Sequence, residues 1–182
     1  MFYIMAHGLP GSGKSTIFAE LERGLVERGL DYWSYNRDDL RTMVAGESYH
    51  EHAPYGAVER RVNELMAARR DAAYARGAIV LDDNTNLNRK TVNSVLRTLP
   101  EGYELVHTVV PMEPEVARHR NEVRGAAGGR RVPDEVIERM YSVGFPGGVF
   151  DYDGLVGDER RSLVLHDTRS LSVLYQLLEL DD

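Results

Sequence analysis

The sequence predicts an α/β fold, a parallel sheet of about five strands with helices on both faces, and three observations carry that prediction. Short apolar runs alternate with longer helical patterns along the chain, the order in which βαβ units build a parallel sheet. The first apolar run feeds a glycine-rich turn, GLPGSGKST, and then a helical segment, which is the strand, loop and helix context of phosphate binding. Two later apolar runs end in polar and acidic clusters, NRDDLR and LDDNTNLN. Open α/β sheets gather their ligands at such strand carboxyl ends.

Taken in order, strands are expected over 2–6, 32–35, 78–81, 105–110 and 163–165, where apolar residues are bounded by turn formers. Helices are expected over 14–28, 56–76, 88–98, 113–124, 133–143 and 170–180. A short helix over 39–44 enters only as the alternative reading of the adjacent Asp38 and Asp39. The stretches GAAGGRR, 125–131, and GFPGGVFDYDG, 144–154, read as irregular. One domain over 1–182 is the expectation, with a lid over about 113–143 that carries arginines.

Composition sets the outer bounds. The chain has 182 residues, 42% hydrophobic and 28% charged, enough to bury one core. With no cysteine, disulfides and thiolate metal sites are excluded. No apolar run nears the ~20 residues of a membrane span, and the N-terminal run is short for a signal peptide, so the expected location is the cytoplasm. A net charge of −7 argues against a surface built for non-specific nucleic-acid binding, while leaving room for a local basic groove.

The strongest motif is the first. Gly8, Gly13, Lys14 and Ser15 satisfy G-x-x-x-x-G-K-[ST], which predicts a P-loop NTPase fold. Gly8, Pro10, Gly11, Ser12, Gly13, Lys14, Ser15 and Thr16 form the expected ATP site. Glycines turn backbone N–H groups toward phosphates, Lys14 reaches the β- and γ-phosphates, and Ser15 ligates Mg²⁺.

Asp38 and Asp39 follow the second strand. A carboxylate at that rim can take the proton of an attacking hydroxyl, the role a kinase needs; as an alternative, the pair caps the short helix. Arg41, three residues beyond Asp38, shares its side of a helical turn and can hold an anionic acceptor. After the third strand, Asp82 and Asp83 both suit a Mg²⁺-holding position. Spacing does not choose, and Asp83 is taken with Ser15 as the expected metal pair. Asn84 to Asn88 also reads as a turn and helix cap. Arg120 and Arg124, spaced i and i+4, share a helix face and suit clamping of a transferring phosphoryl group.

These stretches resemble the phage polynucleotide 5'-kinases, the kinase module of polynucleotide kinase-phosphatases. GLPGSGKST, NRDDLR, DNTNLN, and RNEVRG followed by VPDEVIERMY occur in that family's order, over about residues 1–143. The resemblance implies that Lys14 and Ser15 bind ATP, Asp38 is the general base, Arg41 contacts the acceptor's phosphate, and Arg120 and Arg124 hold the γ-phosphate. It implies a nucleic-acid partner: γ-phosphate transfer to the 5'-OH of DNA or RNA. Transfer to a hydroxymethylated base or a small metabolite, and ATP hydrolysis that drives a partner, are the alternatives. Two departures stand out: Asn84 replaces the family's Asp ahead of TNLN, and GAAGGRR lengthens the lid. FDYDGL resembles the start of an aspartyl phosphatase, but Leu155 replaces its threonine and too short a stretch follows.

Overall fold

The computed structural model describes residues 1–46, 56–156, 161–178 and 180. The elements run β1 (Phe2–His7), α1 (Lys14–Glu27), β2 (Tyr32–Tyr35), α2 (Arg37–Ala45), α3 (Gly56–Ala75), β3 (Ile79–Asp82), α4 (Arg89–Thr98), β4 (Glu104–Val109), α5 (Pro114–Ala126), α6 (Asp134–Gly144), β5 (Arg161–Val164) and α7 (Leu171–Leu177). All strand pairs are parallel, in the order β2-β3-β1-β4-β5. This is the predicted α/β P-loop fold.

Period-two alternation in β1 splits the core. Ile4 and Ala6 face α1 and α7 with Phe18, Leu21, Leu25 and Leu174, whereas Tyr3 and Met5 face α3 and α4 with Val62, Val92 and Val95. Because β1 lies between β3 and β4, the connection from β1 to β2 and the connection from β3 to β4 run in opposite directions across the sheet. The strand order therefore switches at β1, and a crevice opens at its carboxyl end. A third cluster, with Leu9, Leu87, Ala117, Ile137 and Phe150, seats α5 and α6 above that end.

Most boundaries fall within a residue or two of expectation, and three differences have a local reason. α2 begins at Arg37 rather than 39, because the Asn36 side chain accepts from the Asp38 backbone N–H and supplies the cap. α5 continues to Ala126 before the glycines take over. The 144–154 stretch is ordered rather than irregular. It holds a 3-10 turn, Pro146–Gly148, and a wound turn, Tyr152–Val156, anchored by buried Phe145, Phe150, Leu155 and Val156. At the C-terminal end, a 3-10 turn, Thr168–Ser170, precedes α7, and Glu179 of the expected helix lies outside the described residues. Among the described residues, no helix is long and apolar enough to cross a membrane.

Candidate active site

The loop between β1 and α1 is shaped by glycines that could not be replaced in place. Gly11 and Gly13 have φ of 84° and 95°, the left-handed region that side chains resist. A Cβ on Gly8 would lie 2.7 Å from the Val110 carbonyl oxygen and 2.8 Å from Ser12 Oγ. Gly8, Ser12 and Pro10 are buried within the loop, while Ser15 and Thr16 stand exposed on the first turn of α1. Lys14 Nζ donates to the carbonyls of Gly8 and Leu9 at 2.9 and 2.7 Å. Burial lowers its pKa to about 8, Asp83 opposes that shift, and the nearby Arg124 adds to it.

The two aspartates that end β3 are separated by their partners. Asp82 accepts from the hydroxyls of Tyr3 and Tyr35 at 2.9 and 2.6 Å, and from the side-chain amides of Asn84 and Asn86 at 2.7 and 2.9 Å. Its lone pairs are thereby used within the protein. Asp83 is buried, and its Oδ1 has no hydrogen-bond partner. Burial raises its pKa, against Ser15, Lys14 and Asn36, which favour the ionised form. An orphaned carboxylate oxygen beside the Ser15 hydroxyl fits a hard divalent cation, which takes few protein ligands when a nucleotide supplies others. Asn84 is a brace: it donates to Asp82 and accepts from the Arg37 backbone N–H at 2.9 Å.

Across the crevice, Asp38 sits in the first turn of α2. Since Asn36 is the cap, the Asp38 carboxylate is not spent on holding the helix. It accepts from Arg41 at 2.6 Å and pairs with Arg130 from the loop after α5. Arg41 also donates to Glu59 of α3 at 2.5 Å, and Arg37 donates to Glu59 and Asn63, both at 2.8 Å. Burial lowers the Arg41 pKa, but the Glu59 and Asp38 carboxylates outweigh it and the net shift is upward. Arg41, expected to await an anion, is thus already bridged between two carboxylates.

On α5, Arg120 donates to the Gly11 carbonyl at 3.4 Å and Arg124 to Asn121 Oδ1 at 2.9 Å. Asn121, fully buried, clasps both backbone groups of Val132 and ties the glycine-rich return to the helix.

The structure brings Lys14, Ser15, Asp38, Arg41, Asp83, Arg120 and Arg124 to one cleft of about 870 Å³. Pro10, Gly11, Gly13 and Thr16 line it too, with Gly8 and Ser12 beneath. Sequence reasoning missed Glu59, which has no motif and reaches α2 only through the packing of α3. Arg37, Arg130 and Arg139 also line this cleft; they stand in the NRDDLR, GAAGGRR and VPDEVIERMY stretches but were not among the expected site residues.

Among curated proteins, the adenylyl-sulfate kinase of Shewanella sp. (strain ANA-3) is 31% identical over 106 residues, 58% of this chain and 50% of that protein. The match thus spans about half the length of that curated relative. In fold, a gluconokinase from Sinorhizobium meliloti superposes with a TM-score of 0.54 at 18% identity, covering 97% of this chain and 93% of that one. The Mycobacterium tuberculosis APS kinase, solved with AMPPNP and APS, gives 0.56 at 18% identity, covering 97% and 96%. The nucleic-acid partner is therefore corrected: these relatives are named for small molecules. The physical reason lies in the motifs: GLPGSGKST, NRDDLR and the arginine stretch carry the residue types of phosphate chemistry and no signal that distinguishes one hydroxyl acceptor from another. The polynucleotide 5'-kinase resemblance is likewise narrower than the family that matches. The model described as AAA domain aligns with residues 4–145, from β1 through α6, and the chain belongs to that family.

Proposed function

We propose that this protein is an ATP-dependent kinase that transfers the γ-phosphate of ATP to a hydroxyl group of a small molecule. The observation that carries the reading is the position of Asp38, which shares one cleft with Lys14, Ser15 and Asp83 and is not consumed in capping α2. Phosphoryl transfer needs positioning and charge neutralisation more than covalent chemistry. The loop N–H groups and Lys14 hold the triphosphate. Ser15 and Asp83 would hold Mg²⁺, which supplies neutralisation of charge on the phosphates.

Asp38 takes the proton from the acceptor hydroxyl as that oxygen bonds to the γ-phosphorus. The bond between the γ-phosphorus and the β,γ-bridging oxygen breaks, and ADP keeps the electron pair. Arg120 and Arg124 meet the charge that develops on the transferred group. The acceptor class follows the curated relative, whose name is that of a kinase acting on a small molecule.

The experiment supplies γ-labelled ATP with a panel of small hydroxyl compounds: gluconate, adenylyl sulfate and deoxyadenosine. Label in an organic product supports the reading. Label released only as inorganic phosphate, whatever the acceptor, refutes it in favour of hydrolysis.

A further inference from the structure

The cleft carries more positive charge than the donor nucleotide needs. Lys14, Arg120 and Arg124 lie on the phosphate-loop side. Beyond them Arg37, Arg41, Arg130 and Arg139 also line the cleft, and the carboxylates that answer the first three are Asp38 and Glu59. Arg37 and Arg41 share Glu59, and Arg41 and Arg130 share Asp38. The Arg139 guanidinium has no hydrogen bond or ion pair with any described residue. An excess of cations thus faces the acceptor space in a protein whose net charge is −7.

Arg139 does not stand alone on its helix face. Val136, Met140 and Val143 line the same cleft; Val136 and Val143, three and four residues from Arg139, share its side of α6, and Met140 is four and three residues from the same two valines. Leu87 closes the helix end, where a Cβ on Gly144 would come 2.6 Å from its methyl carbon. The wall therefore combines an apolar surface with one uncommitted guanidinium, whose planar fork suits a carboxylate, sulfate or phosphate.

We infer that the acceptor is itself an anion, a hydroxyl compound whose carboxylate, sulfate or phosphate is held by Arg139 while an apolar or ring portion lies on Val136, Met140 and Val143. This rests on the kinase reading and deepens it. A neutral sugar or nucleoside would leave the charge excess unanswered. Coulombic repulsion among the arginines would then persist through the catalytic cycle. An anionic acceptor cancels it and brings its hydroxyl toward Asp38 with a fixed orientation.

The test fills the nucleotide site with Mg²⁺ and AMPPNP and then titrates inorganic sulfate, with glucose as the neutral comparator. Melting temperature is followed for the wild type, Arg139→Gln and Arg139→Lys. The expected result is a saturable sulfate response in the wild type and none with glucose. Arg139→Gln should need roughly 10-fold more sulfate for the half-maximal response, and Arg139→Lys an intermediate amount. AMPPNP affinity should stay within about twofold in both variants, because the loop and lid hold that ligand. AMPPNP binding with an absent or Arg139-independent sulfate response overturns the inference alone. So does a loss of AMPPNP affinity in Arg139→Gln, which would put that residue on the donor side. Failure of AMPPNP to bind the wild type overturns the kinase reading and this inference together.

Discussion

Acidification should weaken the fold through one buried imidazole. His7, the last residue of β1, is fully buried; its Nδ1 lies 3.0 Å from the Asn86 carbonyl oxygen and its Nε2 lies 2.7 Å from His107 Nδ1. A carbonyl can only accept, so His7 carries its proton on Nδ1 and accepts from His107 at Nε2. A second proton has no place unless His107 gives up its own. Burial lowers the His7 pKa from 6.5 to about 4, the Asn86 carbonyl pulls the other way, and Lys14 adds to the lowering. The folded state thus favours the neutral ring. The stabilisation is complete above the unfolded value of 6.5 and is lost as pH falls toward 4, because the unfolded chain takes up the proton first. At about 1.4 kcal/mol per tenfold change in proton affinity, the whole effect is on the order of 3 kcal/mol, with about 2 kcal/mol gone by pH 5. Urea unfolding of the wild type and His7→Asn at pH 7.5, 6 and 5 checks this. The variant should be less stable at pH 7.5, where it lacks the histidine pair, but its stability should fall less steeply. Parallel decline of the two proteins between pH 7.5 and 5 would refute the reasoning.

Other perturbations probe the cleft. Lys14→Ala should abolish binding of a fluorescent ATP analogue while leaving the melting temperature nearly unchanged, because it removes the cation inside the loop. Arg120→Ala and Arg124→Ala should each lower the turnover number at least ~10-fold with a smaller change in ATP affinity; equal losses in both would make them ground-state binders. The Arg41 hydrogen bond holds the Glu59 pKa below its usual 4.5, with burial opposing and Arg37 assisting. The stability that Glu59 contributes is therefore present above that value and lost as pH falls through the lowered one. Glu59→Gln should flatten the acid side of the stability profile, measured by melting temperature between pH 5 and 3.

The sheet was legible because each strand is a short apolar run bounded by turn formers, and the loop because its chemistry demands particular residues at fixed spacing. What stayed hidden was the division of labour between neighbours. Asp82 and Asp83 are chemically identical in sequence. Only the hydroxyls of Tyr3 and Tyr35, brought from two other strands, show that Asp82 is a buried brace. The same holds at Asn36 and Asp38, where two good caps stand two residues apart and geometry awards the cap to Asn36. Glu59 was invisible because an acid on a helix rich in arginine reads as solvated surface. Its pairing with Arg37 and Arg41 comes from the packing of α3 on α2. The acceptor was the largest error. The motifs are specific for the donor half of the reaction, so a likeness in them carried the substrate of one family branch along with it.

The most direct measurement is the rate of γ-phosphate transfer by Asp38→Asn to an acceptor that the wild type phosphorylates, taken with melting temperature and ATP affinity on the same sample. The amide keeps the size of the carboxylate and loses the ability to take a proton. The account predicts normal folding, similar or slightly tighter ATP binding, and transfer reduced by roughly 10²-fold or more. Transfer at the wild-type rate in a folded, ATP-binding Asp38→Asn protein would contradict it.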